Sequence, residues 1–229
     1  MKKNLDILYE DNHLLVVNKP SGMLVQGDES GDVPLSEIAK EYVREKYNKP
    51  GNVFMGVVHR LDRPVSGVVV LAKTSKALAR LNEMFRENRV KKTYWAIVNR
   101  RPAVEEGTLV HWLVKDPAKN LTKAYNSSKR GGQRAELSFR LLNHQGDFHL
   151  LEVNPVTGRP HQIRVQLASI PTPIMGDVKY GAPKALPDKS IALHARELTF
   201  EHPTSKEPMR FTAPLPKAQH WAMFKGSGF

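Results

Sequence analysis

The strongest constraint on the fold is a series of short apolar segments separated by turns of a few polar residues. Their lengths and alternation predict strands at residues 5–9, 13–18, 57–60, 68–72, 93–98, 135–142, 148–154, 191–200 and 209–213. Most neighbouring strands are joined as hairpins rather than through helical crossovers. The sequence therefore predicts an α+β fold with a central, mostly antiparallel β-sheet and flanking helices.

Four helices are expected between these strands. Pro34 is placed to begin the first, and apolar residues at helical spacing predict a second from about Ser75. A third is predicted to open at Gly158-Arg159-Pro160 and to run through Ser169, because proline suits the first helical turn. The last is predicted at residues 216–224. No aliphatic run is long enough to cross a bilayer.

Positive charge is concentrated in two parts of the chain, whose net charge is +12. Residues 73–101 contain nine Lys or Arg against two acids, a net +7, and residues 115–134 contain six against one, a net +5. The remaining residues together are neutral. A generic basic surface would give the same pI, but the clustering favours nucleic acid as partner. A membrane surface is less favoured, because both stretches lack the apolar face of an interfacial helix.

Several classes of protein are excluded by residue content and by missing motifs. The chain contains no cysteine, which rules out thiolate nucleophiles, zinc–thiolate sites and zinc deaminases. Phosphate-loop, dinucleotide-binding and zinc-protease motifs are missing, and the nine histidines show no metal-ligand spacing with carboxylates. We therefore expect no cofactor and no metal. The first ten residues do not form a secretory signal, so a cytoplasmic location is expected.

A polar loop between two predicted strands holds the first candidate site, His59-Arg60-Leu61-Asp62-Arg63-Pro64-Val65-Ser66-Gly67. Asp62 stands between Arg60 and Arg63, whose positive charges would favour its ionised form. Such a carboxylate can act as a nucleophile or as a base. A salt-bridged aspartate that pins a loop would give the same pattern, and by chemistry alone it is the more frequent case.

Two further segments offer groups for binding. If the third helix begins at Pro160, His161 and Arg164 lie on one face, although for this segment alone an ordinary surface helix is the favoured interpretation. On the strand at 93–98, Lys92 and Tyr94 would share one face and offer a cation for phosphate and a ring for base stacking. A half-buried strand with its aromatic residues in the core is the alternative.

In chain order, these segments resemble the RluA family of RNA pseudouridine synthases from about residue 7 to residue 214. The further matching segments are Asn18-Lys19-Pro20-Ser21-Gly22, Lys92-Thr93-Tyr94, Gly158-Arg159-Pro160-His161-Gln162-Ile163-Arg164, Gly176-Asp177-Val178-Lys179-Tyr180-Gly181 and Leu193-His194-Ala195. Each is weak alone, but the ordered set is highly specific. It implies a single catalytic domain over residues 1–229, with the pseudouridine synthase fold and its catalytic cleft.

The resemblance also implies roles for individual residues. Asp62 matches the essential aspartate, and Arg60 the arginine that helps displace the target nucleotide and fills the gap left in the stack. Tyr94 matches the tyrosine that packs on the target uracil, and Arg164 the arginine that pairs with the aspartate. Lys92 and His161 are further candidates for contact with RNA. Neither a cofactor nor a metal is implied, and a monomer acting on ribosomal or transfer RNA is expected.

The sequence departs from the family pattern in two places. Where many members have threonine before Ser66-Gly67, this chain has Val65, preceded by Pro64, so a hydroxyl is lost beside the site and the loop is stiffened. Many relatives also carry an N-terminal RNA-binding module of the S4 type. Here the first strand of the synthase-like region starts at about residue 5, so no such module is expected, and the two basic stretches would supply the affinity for RNA.

The implied reaction breaks the N-glycosidic bond of uridine, turns the uracil and joins its C5 to the ribose C1′. One carboxylate suits this isomerisation, whereas ordinary glycoside hydrolysis needs two. Asp62 could attack C1′, add to the uracil ring or remove the 2′ proton, and the sequence does not choose among them. A non-catalytic RNA-binding or chaperone protein, and a nucleosidase acting on free nucleosides, are the rival interpretations.

Overall fold

A computed structural model describes residues 5–225 of the protein, so that the ends of the predicted domain, residues 1–4 and 226–229, lie outside the described part. The chain forms two compact units. The first unit contains residues up to 91 together with 195–214, and the second contains residues 92–194 together with those from 215 onward. Both combine helices with antiparallel strand pairs, which confirms the predicted α+β class. The single domain over residues 1–229 stays a prediction.

The described residues form eleven strands and four α-helices. The strands are β1 (Ile7–Glu10), β2 (Leu14–Lys19), β3 (Gly56–Val57), β4 (Ser66–Ala72), β5 (Lys91–Val98), β6 (Glu106–Asp116), β7 (Leu121–Tyr125), β8 (Gln133–Gln145), β9 (Phe148–Pro155), β10 (Leu193–Glu201) and β11 (Pro208–Thr212). The helices are α1 (Leu35–Lys46), α2 (Ser75–Arg86), α3 (Gln162–Ser169) and α4 (Gln219–Ala222), with a short 3₁₀ helix at Val178–Tyr180. None of these helices is long and apolar enough to span a membrane.

In the first unit the strand order is β1-β2-β4-β10-β11, and β3 pairs with the end of β4. The core lies where α2 packs on this sheet, around Val16, Val70, Leu81 and Met84, all of which are buried. Fully burying each such side chain contributes roughly 1.5–3 kcal/mol. Thr74 begins α2 by accepting a hydrogen bond from the backbone N–H of Ala77 at 3.2 Å. The predicted apolar stripe of this helix is therefore a core stripe.

Gly67 is required where β4 passes β10. Its φ is +118°, and a Cβ atom at this position would lie 2.2 Å from the backbone oxygen of Ala195. Any other residue would push the two strands apart. Because Gly67 follows the Asp62 loop and pairs with Lys19 of β2, this close approach fixes where the loop ends.

In the second unit the strand order is β5-β9-β8-β6-β7, and all neighbours are antiparallel. One face of this sheet packs against α3, through Leu113, Ala135 and Val165. Alternation along β6 buries His111 and Leu113 on that face and leaves Trp112 and Val114 half-buried on the opposite face.

Four predictions of elements were wrong in extent or were missing. The strand predicted at 57–60 is only the two residues of β3, because Val58–Arg60 already belong to the loop. Strands β6 and β7 were not predicted. Helix α3 begins at Gln162 rather than Pro160, because His161 adopts a left-handed conformation with φ of 56°. The helix predicted at 216–224 is reduced to the single turn of α4.

Candidate active site

The Asp62 loop, defined here as residues 59–65, is anchored by its apolar members. Leu61 and Val65 are buried, Asp62 is half-buried and Arg60 is exposed. The backbone N–H of Val65 donates to the carbonyl oxygen of Asp62 at 3.0 Å and closes a turn over Arg63 and Pro64. The side chain of Val65 therefore belongs to the core.

Arg63 is bound to the segment that precedes α1. Its Nη2 lies 2.5 Å from Oδ2 of Asp32, and its Nε donates to the carbonyl oxygen of Gly22 at 3.1 Å. Gly22 in turn donates its N–H to the carbonyl oxygen of Arg63 at 2.8 Å. The sequence interpretation assigned the charge of Arg63 to Asp62. In the structure Asp32 matches that charge, and Arg63 clamps the loop to the 20–23 turn.

A fully buried lysine lies beneath the Asp62 loop. Lys19 has no exposed surface, and its Nζ donates to the carbonyl oxygens of Met23 at 2.8 Å, Pro20 at 3.0 Å and Arg63 at 3.5 Å. Burial lowers the pKa of this ammonium to about 7, while the negative charge of Asp62 acts in the opposite direction. The nearby positive charge for Asp62 within the first unit therefore includes Lys19, which the sequence interpretation did not consider.

His59 has a structural role. Its Nε2 accepts a hydrogen bond from the backbone N–H of Val70 at 3.1 Å, and its ring stacks on Phe85 at 4.9 Å between centroids. These contacts fix the start of the Asp62 loop against β4 and α2. His59 thus supports the loop through these two contacts.

In the second unit, Arg164 of α3 is buried in a bidentate ion pair. Its Nε and Nη2 donate to the two carboxylate oxygens of Asp177 at 2.7 and 2.8 Å, and the two side chains are 7% and 1% exposed. The guanidinium also lies over the ring of Tyr180, 5.0 Å from its centroid. A planar guanidinium held by two hydrogen bonds and an aromatic face has one orientation.

His161 immediately precedes α3 and contacts Tyr180, the residue whose ring lies under the guanidinium of Arg164. Its Nδ1 is 2.7 Å from the hydroxyl of Tyr180, which also accepts the backbone N–H of Thr122 at 2.9 Å. Burial raises the pKa of Tyr180. The left-handed backbone of His161 is unusual for a residue other than glycine and costs of order 1–3 kcal/mol. Such strain is often found at functional sites, and here it separates His161 from the helical face of Arg164.

The basic strand β5 carries Lys92 and Tyr94 as half-buried side chains. Burial lowers the pKa of Lys92. Tyr94 lies opposite Val153 of β9, and neighbouring Thr93 donates its hydroxyl proton to Asn154 at 2.9 Å. Because β5 is a regular strand, Lys92 and Tyr94 share a face, as the sequence predicted. Trp95 points the other way and is buried in the core.

Three residues with clear structural importance had no predicted role: Lys19, Asp177 and Tyr180. All three belong to segments that carry the family resemblance. The ion pair of Asp177 had a sequence signal, because an aspartate in an apolar segment is rarely buried unless a cation is paired with it. Among residues 5–225, no group of three or more His, Asp or Glu side chains is arranged to hold a metal ion.

Comparison with known proteins places these features in a family. The model of the RNA pseudouridylate synthase family matches residues 13–169. The ribosomal large subunit pseudouridine synthase C of Vibrio cholerae is 36% identical over 221 residues, which cover 91% of this chain and 65% of that protein. An uncharacterized RNA pseudouridine synthase of Synechocystis is 35% identical over 219 residues, or 93% of this chain and 66% of that protein.

The chain belongs to the RNA pseudouridylate synthase family. It spans about two thirds of the length of these curated relatives. Among solved structures, human RNA pseudouridylate synthase domain containing 4 matches with a TM-score of 0.77 and 27% identity, covering 92% of this chain and 88% of that one. The predicted family and fold are thereby confirmed, and the predicted reaction class, an RNA-modifying isomerase, is that of the family.

Proposed function

We propose that this chain isomerises uridine to pseudouridine in structured RNA, with Asp62 as the essential carboxylate. The observation that carries the proposal is the position of Asp62 on a loop anchored by buried neighbours and braced by Lys19 and Arg63. This brace gives the carboxylate a fixed place, as pre-organised catalysis requires. Its segment also falls within the part of the chain matched by the family model.

The reaction balances without a second substrate. The bond between N1 of uracil and C1′ of ribose breaks, the uracil turns, and C5 forms a bond to C1′. C5 then loses its hydrogen as a proton, and N1 gains one. An ionised Asp62 can serve this sequence by attack on C1′, by addition to the ring or by removal of the 2′ proton, and each route needs the same carboxylate.

Base flipping must precede the chemistry and costs roughly a few kcal/mol. In the proposal, exposed Arg60 fills the vacated position in the RNA stack and Tyr94 packs on the flipped uracil. Arg164, oriented by Asp177, favours the ionised form of Asp62. Lys92 and His161 contribute contacts to the RNA. These roles are supported by the resemblance of each segment to the family and by the rigid hold on Arg164.

Ribosomal RNA is the substrate that we favour, because several similar proteins are named as synthases of the large ribosomal subunit. Transfer RNA is the alternative. The protein is proposed to act as a monomer in the cytoplasm and without a protein partner. Size-exclusion chromatography with light scattering of the purified chain can test the monomeric state.

The proposed function can be tested in a strain from which the gene has been deleted. Total RNA from that strain is incubated with wild-type protein or with the Asp62→Asn variant, and pseudouridine is mapped at each position. We expect new pseudouridine with wild type and none with Asp62→Asn. The exposed-loop variant Asp147→Asn is the matched control and should modify the same positions as wild type. Equal modification by the Asp62 variant would contradict its role, and no modification by wild type would favour an RNA-binding protein.

A further inference from the structure

The second unit has a sheet face that the proposed chemistry does not use. It is formed by β6, β7 and β8, on the side opposite to α3, and we call it the Trp112 face. Its members here are Trp112, Val114, Lys123, Tyr125 and Arg134, which are half-buried or exposed. Their neighbours along the strands, such as Leu113 and Ala135, are buried on the α3 side. The alternation defines a continuous, solvent-facing surface.

Two aromatic rings lie side by side on the Trp112 face. Trp112 of β6 is paired in register with Tyr125 of β7 on one side and with Arg134 of β8 on the other. Side chains directly opposite on neighbouring strands lie about 4.5–5.5 Å apart at Cβ. The row across the three strands is therefore tyrosine, tryptophan, arginine, an order that combines ring faces with a cation.

The polar atoms of both rings are unused within residues 5–225. There the indole N–H of Trp112 and the hydroxyl of Tyr125 have no hydrogen-bond partner, and neither ring stacks on another ring. Rings that serve only to fill a core are usually buried, and Tyr and Trp that remain half-exposed are typical of interfaces. Gly132 allows the loop before β8 to pass closely, since a Cβ there would meet Cβ of Trp112 at 3.2 Å.

Positive charge surrounds the two rings. Nζ of Lys129 lies 5.4 Å from the centroid of the Tyr125 ring, and Lys123 shares its face with Val114. Arg134 is exposed, and its carbonyl oxygen accepts a hydrogen bond from Nε of Arg159 at 3.2 Å. The face thus combines flat rings with cations along an open sheet.

Three acids lie on the same face, Glu106 and Asp116 at the two ends of β6 and Glu136 on β8. Glu136 is 2.6 Å from Arg134, and Asp116, at the far end of β6, accepts the backbone N–H of Lys119 at 3.2 Å. They do not outweigh the lysines and arginines of residues 115–134. The complementary partner is consequently a polyanion with exposed flat groups.

We propose that the Trp112 face binds an unpaired stretch of the RNA substrate. Bases of that stretch stack on Trp112 and Tyr125, and its phosphates contact Lys123, Lys129 and Arg134. Single-stranded RNA fits this chemistry because its bases can be splayed onto aromatic rings, whereas an A-form duplex keeps its base faces stacked inside the helix. RNA as the physiological partner rests on the proposed function, while the choice of single strand over duplex rests on the rings.

The stacking part can be tested by binding, without turnover. Fluorescence anisotropy would measure the Kd of a labelled twelve-nucleotide uridine strand for wild type, Tyr125→Ala and Tyr125→Phe. We expect Tyr125→Ala to weaken binding by about fivefold to a hundredfold, the range for loss of one stacked base. Tyr125→Phe keeps the ring and should bind as wild type does. Equal affinity of the alanine and phenylalanine variants, both folded by circular dichroism, would overturn the stacking role.

The electrostatic part needs a control for total charge. Lys123→Glu with Lys129→Glu changes the net charge by the same amount as Lys184→Glu with Lys189→Glu, whose lysines are exposed elsewhere in the second unit. We expect the first pair to weaken binding of the uridine strand at least about tenfold more than the second and to reduce its dependence on salt. Similar losses with both pairs, or tighter binding of wild type to a twelve-base-pair RNA duplex than to the single strand, would overturn the proposal.

These outcomes are separable from failure of the proposed function. Loss of binding to the strand can be measured in a protein that modifies RNA, and modification can be measured in a protein that does not bind the strand. If wild type forms pseudouridine but the Tyr125 and Lys123/Lys129 variants bind the strand as wild type does, only the proposal for the Trp112 face is contradicted. Wild type that binds the strand through these residues but forms no pseudouridine would sink only the catalytic proposal.

Discussion

The two units each bury a cation, Lys19 in the first and Arg164 in the second, but they hold it in different ways. In the first unit, Lys19 beneath the Asp62 loop is surrounded by backbone carbonyl oxygens. In the second, Arg164 is held by both oxygens of the Asp177 carboxylate and by the face of Tyr180. The two carboxylate oxygens fix the direction of the guanidinium of Arg164, whereas the carbonyl oxygens fix the position of the Lys19 amine.

This difference between the two buried cations concerns which of them should respond to pH near neutrality. An arginine does not lose its proton in proteins, so the Arg164–Asp177 pair keeps its charges over the physiological range. Burial brings the pKa of Lys19 to about 7, so its ammonium can release a proton there. A rigid, permanently charged group in one unit is thus combined with a titratable brace in the other.

The largest effect on stability is expected from removing the carboxylate of Asp177 in the second unit. Asp177→Asn removes the carboxylate charge that holds the buried guanidinium of Arg164 through two hydrogen bonds, which should lower the free energy of unfolding by about 3–5 kcal/mol. Urea unfolding at pH 7 measures it. The exposed control Asp147→Asn should stay within about 0.5 kcal/mol of wild type. If the two variants are equally stable, the ion pair does not hold Arg164 as described.

A carboxylate-bound lysine in the first unit offers the next comparison. Oε1 of Glu10 is 2.7 Å from Nζ of Lys73, and its Oε2 is 2.7 Å from Nζ of Lys46. Burial opposes the ionisation of Glu10, but hydrogen bonds from the two lysines, Tyr42 and Tyr47 outweigh burial and lower its pKa to about 2.

Glu10→Gln should therefore reduce the free energy of unfolding at pH 7 by about 2–3 kcal/mol. The folded pKa lies below the ordinary value of 4.5, so the contribution is present above pH 4.5 and is lost as pH falls towards 2. Chemical denaturation from pH 7 to pH 3 compares the two proteins. If the free energies of unfolding of the two proteins differ by the same amount at every pH in that range, the network does not depress the pKa of Glu10.

Titration of Lys19 should also make the protein more stable as pH rises, but over a higher pH range. Its folded pKa lies below the ordinary value of 10.5, so the unfolded chain binds more protons between pH 7 and pH 10.5. The folded state should gain about 2 kcal/mol from this group between pH 7 and pH 9. Lys19→Met should lack that gain in unfolding experiments at the two pH values. An equal rise in both proteins would show that Lys19 stays charged, as Arg164 does.

The smallest effect on stability is expected for Lys19→Met at pH 9, where the wild-type amine is neutral. The variant loses hydrogen bonds to Met23 and Pro20, a change of about 1 kcal/mol. Turnover should fall more than this loss of stability suggests, because the Asp62 loop loses its brace at Arg63. A lower kcat with little change in KM for RNA would fit this positioning role, and an unchanged kcat would contradict it.

The sequence predicted most of the first unit because its signals are local. Helix α1 follows Pro34, and α2 shows a strong apolar stripe capped by Thr74, so both were found with their correct starts. Strands β6 and β7 were missed because one side of each is half-exposed and carries lysines such as Lys123. The positive charge of this region was recognised, but the alternation of buried and exposed residues along the two strands was not.

For the site, sequence patterns identified residue types better than partners. Asp62, Arg164 and Tyr94 were singled out from motifs, but the ion-pair partner of Arg63 was not predicted. Its partner, Asp32, lies 31 residues away in a loop and leaves no periodic signal. The burial of Lys19 could not be expected either, since lysine is almost never fully buried.

The central claim, that Asp62 isomerises uridine without releasing the base, can be tested with RNA labelled with tritium at C5 of uridine. Joining C5 to C1′ must release that tritium to water. We expect wild type and Asp147→Asn to release it in a single turnover with no free uracil, and Asp62→Asn to be slower by at least about a hundredfold. Tritium release by Asp62→Asn at the wild-type rate, or free uracil as the product, would contradict the claim.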